Sequence, residues 1–224
     1  MLEKNTRTII TTGDGSKTIH LVDWNENYHS THGAVQEAKH VFLNYGLSLF
    51  DNHKEVRVFE VGFGTGLNAI LTYEFGLNNN LAIIYNTIEA YPVTEEEIRL
   101  LGYHELFDSE DLKQVYKKLH SVAWNKDVEI SPAFHLNKIC QNFEHFVFPR
   151  EAYDLIYFDA FGPRVQETMW SHFEKLYEAL TPGGVLVTYC AKGQVKRDLK
   201  AAGFKVETLP GPPGKREMTR AIKL

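Results

Sequence analysis

Cysteine is scarce in this chain. Cys140 and Cys190 are the only two among 224 residues, and they stand far apart. That excludes a disulfide framework and a cysteine-based zinc cluster, and it suits a reducing, cytoplasmic setting. Long apolar runs are missing as well. No stretch reaches the roughly 18 residues that a membrane helix needs, and the start, Met1-Leu-Glu-Lys-Asn-Thr-Arg7, has no apolar segment of the secretory kind. No membrane partner is therefore expected. Repeats, low-complexity tracts and linkers are absent too, so a single domain over residues 1–224 is the expectation, at a length able to bury a sizeable core.

Positive charge is also short, since the net charge is −5. Taken alone this argues against a nucleic-acid partner. The charge is uneven, however: residues 164–224 hold eleven Lys or Arg against six Asp or Glu, a balance of +5, which leaves −10 on residues 1–163. A basic C-terminal third can present a phosphate-binding surface, and solvated helix faces would give the same counts.

Along the chain, Arg7–Thr12 and Lys17–Val22 flank a Gly13-Asp-Gly-Ser16 turn and predict a hairpin. Ala34–Leu43 has helical spacing of its apolar residues. These residues form an N-terminal extension, 1–50, before a core over 51–224. In the core, strand-length apolar runs (Arg57–Val61, Ala82–Glu89, Asp154–Phe158, Val185–Cys190) alternate with helical stretches (Leu67–Phe75, Thr94 to His120, Gln166–Leu180, Val195–Ala202). Val128–Ile130 and Phe134–Leu136 mark a further strand region. The chain then runs through two strands, Phe204–Leu209 and Thr219–Leu224, with no helix between them. The pattern predicts an α/β fold: a Rossmann-like, mainly parallel sheet covered on both faces, with an antiparallel last strand.

The dinucleotide fingerprint G-x-G-x-x-G is absent, because Leu67 stands where its last glycine would be. What stands there is Glu60-Val-Gly-Phe-Gly-Thr-Gly66, at a strand-to-helix junction. Gly62, Gly64 and Gly66 allow a tight turn and close approach of a ligand to the backbone, at the strand edge where open α/β sheets bind ligands. A pyrophosphate tolerates a nearby carboxylate poorly, whereas an ammonium and a sulfonium gain from one. Glu60 thus points to S-adenosylmethionine rather than NAD. Glu89, ending the second strand, can accept both ribose hydroxyls of either cofactor.

Asp159 ends the fourth apolar strand and is followed by Ala160-Phe161-Gly162-Pro163. There it can hold an amine near a transferable methyl group, with Phe161 and Pro163 walling the acceptor; a turn or cap aspartate is the plainer alternative. Tyr28-His-Ser-Thr-His32 has two histidines without a Cys or carboxylate cluster, so no metal is expected, and a lid over the cofactor fits it better. In the stiff loop Gly211-Pro-Pro-Gly-Lys-Arg-Glu-Met218, Lys215 and Arg216 suit a phosphate contact.

Several runs together resemble MnmC-type tRNA methyltransferases in their stand-alone methyltransferase form. They are Asp14-Gly-Ser16, Tyr28-His-Ser30, Gly33-Ala34, Glu37-Ala38, Val41-Phe42, Phe63-Gly-Thr-Gly-Leu-Asn68, Asp159-Ala-Phe161, Met169-Trp170, Leu180-Thr-Pro-Gly-Gly184 and Gly214-Lys-Arg-Glu-Met218, in that order over nearly the whole chain. The resemblance implies N-methylation of the aminomethyl group of 5-aminomethyl-(2-thio)uridine at the tRNA wobble position, with tRNA as partner and an amine-forming enzyme supplied separately. It also implies cofactor contacts from Tyr28, Phe63 and Asn68, and direct displacement, with Asp159 positioning the amine or taking its proton. The sequence departs from the family where relatives carry Gly-Asp-Ala near adenine; Asn137, within Phe134–Cys140, is the candidate substitute. Two other readings use the same residues: a small-molecule methyl or aminopropyl transferase acting on a polyamine, and a nucleotide-binding module without catalysis.

Overall fold

The computed structural model describes residues 6–224. Three short strands open it: β1 (Arg7–Thr11), β2 (Lys17–Leu21) and β3 (Glu26–Asn27), joined in one antiparallel sheet. The β1–β2 turn is knotted by Asp14, whose carboxylate accepts hydrogen bonds from Thr12 Oγ1 (2.8 Å), Ser16 N (3.1 Å) and Ser16 Oγ (2.5 Å). Helix α1 (Ala34–Ala38) follows, and it continues as a wider π turn over Lys39–Asn44 that buries Val41, Phe42 and Leu43.

The core sheet has eight strands: β4 (Glu55–Val61), β5 (Ala82–Glu89), β6 (Asp127–Ser131), β7 (Phe134–Cys140), β8 (Tyr153–Phe158), β9 (Leu180–Thr188), β10 (Lys205–Pro210) and β11 (Glu217–Ile222). Their order across the sheet is β10-β11-β9-β8-β4-β5-β7-β6. Strands β7, β5, β4, β8 and β9 run parallel, while β11 is antiparallel to β9 as the sequence predicts. Parallel central strands must be covered on both sides. Here α2 (Leu67–Asn79) and α4 (Glu110–Ser121) join one apolar layer with α1, and α5 (Phe173–Ala179) and α6 (Gly193–Ala201) join the other.

Some local expectations change. The polar stretch after Thr94 is two helices rather than one: α3 (Glu95–Leu101) starts on a Thr94–Glu97 capping box and stops at Gly102, and α4 begins eight residues later. The third-strand region is a complete hairpin, β6–β7, and β7 runs on to Cys140. Gln166–Leu180 is broken into a 3-10 turn over Glu167–Ser171 and then α5, because Trp170 is buried and its Nε1 donates to Phe161 O at 2.8 Å. Thr181-Pro-Gly-Gly184 does not precede β9 but forms an irregularity inside it, where Thr181 Oγ1 donates to Asp154.

From β4 the chain moves to β5 on one side and reaches β8 on the other. The gap between the C-terminal ends of β4 and β8 is the topological switch point, where open α/β sheets bind their ligands.

Candidate active site

The C-terminal ends of β4 and β8 meet through the backbone. Asp159 N donates to Val61 O at 3.1 Å, and Gly62 N donates to Ile88 O at 3.0 Å. Gly62 takes φ +95°, and a Cβ there would stand 3.1 Å from Asp159 O. Gly64 lies under the Tyr28 ring, which a Cβ would meet at 3.2 Å. At Gly62 and Gly64 there is therefore no room for a side chain. Glu89 ties it to β5: one carboxylate oxygen accepts Gly64 N (3.1 Å) and the other Tyr91 N (2.9 Å). Burial raises the pKa of Glu89, against the pull of these amides and Arg7. Arg7 in turn reaches Tyr91 O (3.2 Å) and Glu97 (3.1 Å), pinning the N-terminal sheet to this edge.

Above the loop is a cavity of about 650 Å³, a size suited to a nucleoside cofactor plus an acceptor group. The glycine loop, the Tyr28 ring and the spare lone pairs of Glu89 fit the amino-acid and ribose portions of S-adenosylmethionine. Gln141 and Asn142, just past the end of β7, line the same cavity.

The side of the cavity at the end of β8 is acidic and aromatic. Asp159 Oδ2 accepts from Asn68 Nδ2 at 2.9 Å. Burial and the nearby Glu37 push its pKa up to about 7, opposed by the Asn68 hydrogen bond and the Lys215 charge. Glu37 accepts the Ser30 amide at 3.0 Å and pairs with Lys215. The Lys215 ammonium also lies 3.9 Å from the centre of the Tyr189 ring, and Tyr189 OH donates to Ala160 O at 2.9 Å. Phe161 meets Tyr28 edge-on at 5.0 Å and Trp24 at 5.9 Å. His29, beside them, is held neutral, because burial lowers its pKa to about 4; its Nε2 contacts Thr65 Oγ1 at 2.7 Å.

Of the residues singled out in the sequence, Gly62, Phe63, Gly64, Asn68 and Glu89 line the cavity. So do Tyr28, Asp159, Phe161 and Lys215. Gly66 does not; it opens α2 and faces His120. Pro163 stands outside the lining, between Gly162 and Arg164, which belong to it, and Arg216 is exposed on the outer surface of its loop. Glu60 is fully buried behind the wall, where its Oε2 accepts from Thr87 at 2.8 Å. Burial raises its pKa well above the usual carboxylate range, and Glu60 is not part of the cavity lining. Asn137 pairs with Asn86 and Asp127 in mid-sheet, short of the strand end, so it is Gln141 and Asn142 that stand at the edge where adenine was expected to find it.

Tyr189, Trp24 and Gln141 escaped the sequence reading, and Glu37 entered it only within the run Glu37-Ala38, without a role in the site. Gln141 becomes visible once the third strand is run to its true end at Cys140. Glu37 belongs to the helical run Ala34–Leu43 and carried no signal that its side chain turns inward.

Over residues 108–224 the chain matches a family described as S-adenosyl-L-methionine-dependent methyltransferase. It is 31% identical over 215 residues, 88% of its length, to the tRNA 5-methylaminomethyl-2-thiouridine biosynthesis bifunctional protein MnmC of Cupriavidus metallidurans. It is 32% identical over 216 residues to the protein of the same name from Cupriavidus necator. The chain spans about a third of the length of these curated relatives, 31% and 32%. The crystal structure of MNMC2 from Aquifex aeolicus shares the fold, with a TM-score of 0.81 at 23% identity over 98% of this chain and 71% of that one. A glycine loop without a dinucleotide fingerprint, a carboxylate ending the neighbouring strand and a family match over the C-terminal half agree: this chain belongs to the S-adenosyl-L-methionine-dependent methyltransferases and is related to MnmC.

Proposed function

We propose that the enzyme transfers a methyl group to the aminomethyl nitrogen of 5-aminomethyl-(2-thio)uridine at the wobble position of tRNA. The observation that carries this reading is the acceptor compartment: Asp159, with a pKa near 7, stands beside Glu37 and under an aromatic wall. A primary amine is the acceptor that such a compartment suits. The names of the relatives supply the nucleoside and the tRNA.

On this reading the chain is one methyltransferase domain whose N-terminal sheet caps the core and, through Trp24 and Tyr28, closes the cavity. The Gly62–Gly66 loop, Phe63, Tyr28 and Asn68 hold the cofactor, Glu89 takes its ribose hydroxyls, and Gln141 and Asn142 meet its adenine. When bound, S-adenosylmethionine supplies a methyl group on a sulfonium, which the acceptor nitrogen takes as the carbon–sulfur bond breaks. The residues of this chain attend to the acceptor. Asp159 receives the proton that the incoming ammonium must lose, and a base with a pKa near the working pH is well matched to that task. Phe161 and Tyr28 exclude water from the nitrogen. Lys192 at the rim and the exposed Arg197 and Arg216 offer cations to tRNA phosphates.

The test is methyl transfer to purified tRNA that carries 5-aminomethyluridine, followed by nucleoside analysis. Formation of 5-methylaminomethyluridine is the expected result. Methylation of free polyamines with none of tRNA would overturn the reading, and so would cofactor binding without any transfer.

A further inference from the structure

Lys215 was expected to contact a phosphate, yet its side chain turns into the acceptor compartment. It pairs with Glu37, whose side chain is 9% exposed, and stacks on the Tyr189 ring. The partners come from opposite ends of the chain, 178 residues apart. Glu37 is anchored from below by the Ser30 amide. Tyr189 is anchored by Ala160 O, one residue from Asp159. A carboxylate and an aromatic face with a cation between them make up a seat for a primary ammonium. In this structure the ammonium in the seat belongs to the protein.

We propose that Lys215 keeps Glu37 from holding the substrate's ammonium, so that the acceptor amine gives its proton to Asp159 and attacks as a free base. This rests on the function proposed above. The charges explain the need. With Asp159 and Glu37 both ionised and Lys215 charged, the compartment carries a net single negative charge and draws in one ammonium. One proton then passes from the nitrogen to an Asp159 carboxylate oxygen. That leaves a neutral amine, a neutral carboxyl and the Glu37–Lys215 pair. Without Lys215, Glu37 would be unpaired beside the nitrogen, would favour the ammonium, and would leave no lone pair for attack. The role is one of positioning and charge balance, since no bond to Lys215 forms or breaks.

The other groups around Asp159 do not supply this balance. Burial raises the pKa of Glu60 and Tyr85, behind it, and of the Tyr189 hydroxyl, which disfavours a charge on any of them. His29, next to Glu37, is neutral above about pH 4. Asn68 donates a hydrogen bond but bears no charge. Among the remaining charged groups that line the cavity, Arg164 is engaged by Glu26 at 3.0 Å, Glu89 is engaged by backbone amides, Glu144 pairs with Thr168, and Lys192 stands exposed at the rim.

The experiment is a pH profile of single-turnover methyl transfer to aminomethyluridine tRNA. It compares wild type, Lys215→Met, Glu37→Gln and the double variant, with tRNA affinity measured by fluorescence anisotropy. Removing one charge in a shielded compartment moves a neighbouring group by about one pH unit or more. Lys215→Met should move the acidic limb upward by that amount and slow transfer about tenfold at neutral pH, with tRNA affinity unchanged. Glu37→Gln should move the limb downward. The double variant, which removes both partners of the pair, should bring the limb back to the wild-type position. Weakened tRNA affinity in Lys215→Met with an unmoved limb would overturn the proposal in favour of a phosphate contact. A double variant as alkaline as Lys215→Met would overturn it as well, because the effect would not pass through Glu37. Wild-type enzyme inactive on this tRNA would instead remove the function on which the proposal stands.

Discussion

Glu60 is the acidic residue of the glycine motif, and its chemistry can be tested by replacing it with glutamine. It is fully buried, and Thr87 is its hydrogen-bond donor at 2.8 Å. Its other oxygen has no partner, and neither does Asn68 Oδ1 or Tyr85 OH. The groups that act on it most are Thr87, Asp159, Asn68 and Tyr85, none of them a cation. A neutral acid suits this setting, because its hydroxyl can donate to one of the unpartnered oxygens. Glutamine has the same shape and a donor in the same place. Glu60→Gln should therefore keep cofactor affinity and methyl transfer within a few-fold of wild type. Its effect on stability follows from the sign of the shift. The folded pKa lies above the unfolded one, so the native protein keeps a proton that the unfolded chain releases. The contribution of Glu60 is complete below the ordinary carboxylate range. It is lost as pH rises, by about 1.4 kcal/mol per unit, until the native group ionises. Glu60→Gln does not share this loss. Urea unfolding of both proteins at each pH measures the difference. Parallel stability profiles, or a hundredfold loss of cofactor affinity in Glu60→Gln, would show that Glu60 acts as a charge.

Asp159→Asn removes the proton acceptor but keeps the shape. Transfer should fall by well over tenfold, at about 1.4 kcal/mol of barrier per factor of ten, and the rise of activity through about pH 7 should vanish; near-wild-type turnover at saturating cofactor and tRNA would reduce Asp159 to a loop-shaping role. Lys192→Ala/Arg216→Ala should weaken tRNA binding and flatten its dependence on salt, since fewer counterions are released, and calorimetry should find cofactor affinity intact; an unchanged salt slope would take both cations out of the interface. Gly64→Val puts a branched side chain where even a Cβ would stand 3.2 Å from the Tyr28 ring, at a residue with φ +50°. Cofactor affinity should fall at least tenfold in calorimetry while Asp159 and its neighbours stay in place, and undiminished affinity would mean that the loop is not the cofactor's cradle.

Much of the fold was legible because its signals are local. Runs such as Arg57–Val61 and Asp154–Phe158 are apolar over strand length because both faces of a parallel strand are covered. Gly62–Gly66 is readable because only glycine tolerates that turn. The misreadings share another cause. Gln166–Leu180 has helical composition, but Trp170 is drawn into the core by a tertiary contact with Phe161, and no count of helix formers contains that contact. The third strand looked short because Asn137 and Lys138 interrupt its apolar pattern. Lys138 is nevertheless buried, with its ammonium 4.8 Å from the centre of the Trp124 ring and bonded to His120 O.

The same division runs through the site. Positions could be named from the motifs; protonation and pairing could not. Glu60 was read as a charge facing the cofactor, but it lies behind the cavity wall, where burial disfavours that charge. Lys215 was singled out for its charge, and that charge turns inward to Glu37 across 178 residues of sequence. Asp159 left two roles open, holding an ammonium or taking its proton. These pull in opposite directions as long as the carboxylate keeps an ordinary pKa, because a strong pair with the ammonium resists the transfer. Raised to about 7, Asp159 can do both in turn. Ionised, it attracts the ammonium; as a stronger base than an ordinary carboxylate, it is better able to take the proton. That rise comes from burial and from Glu37, two features that exist only after the extension has folded over the core.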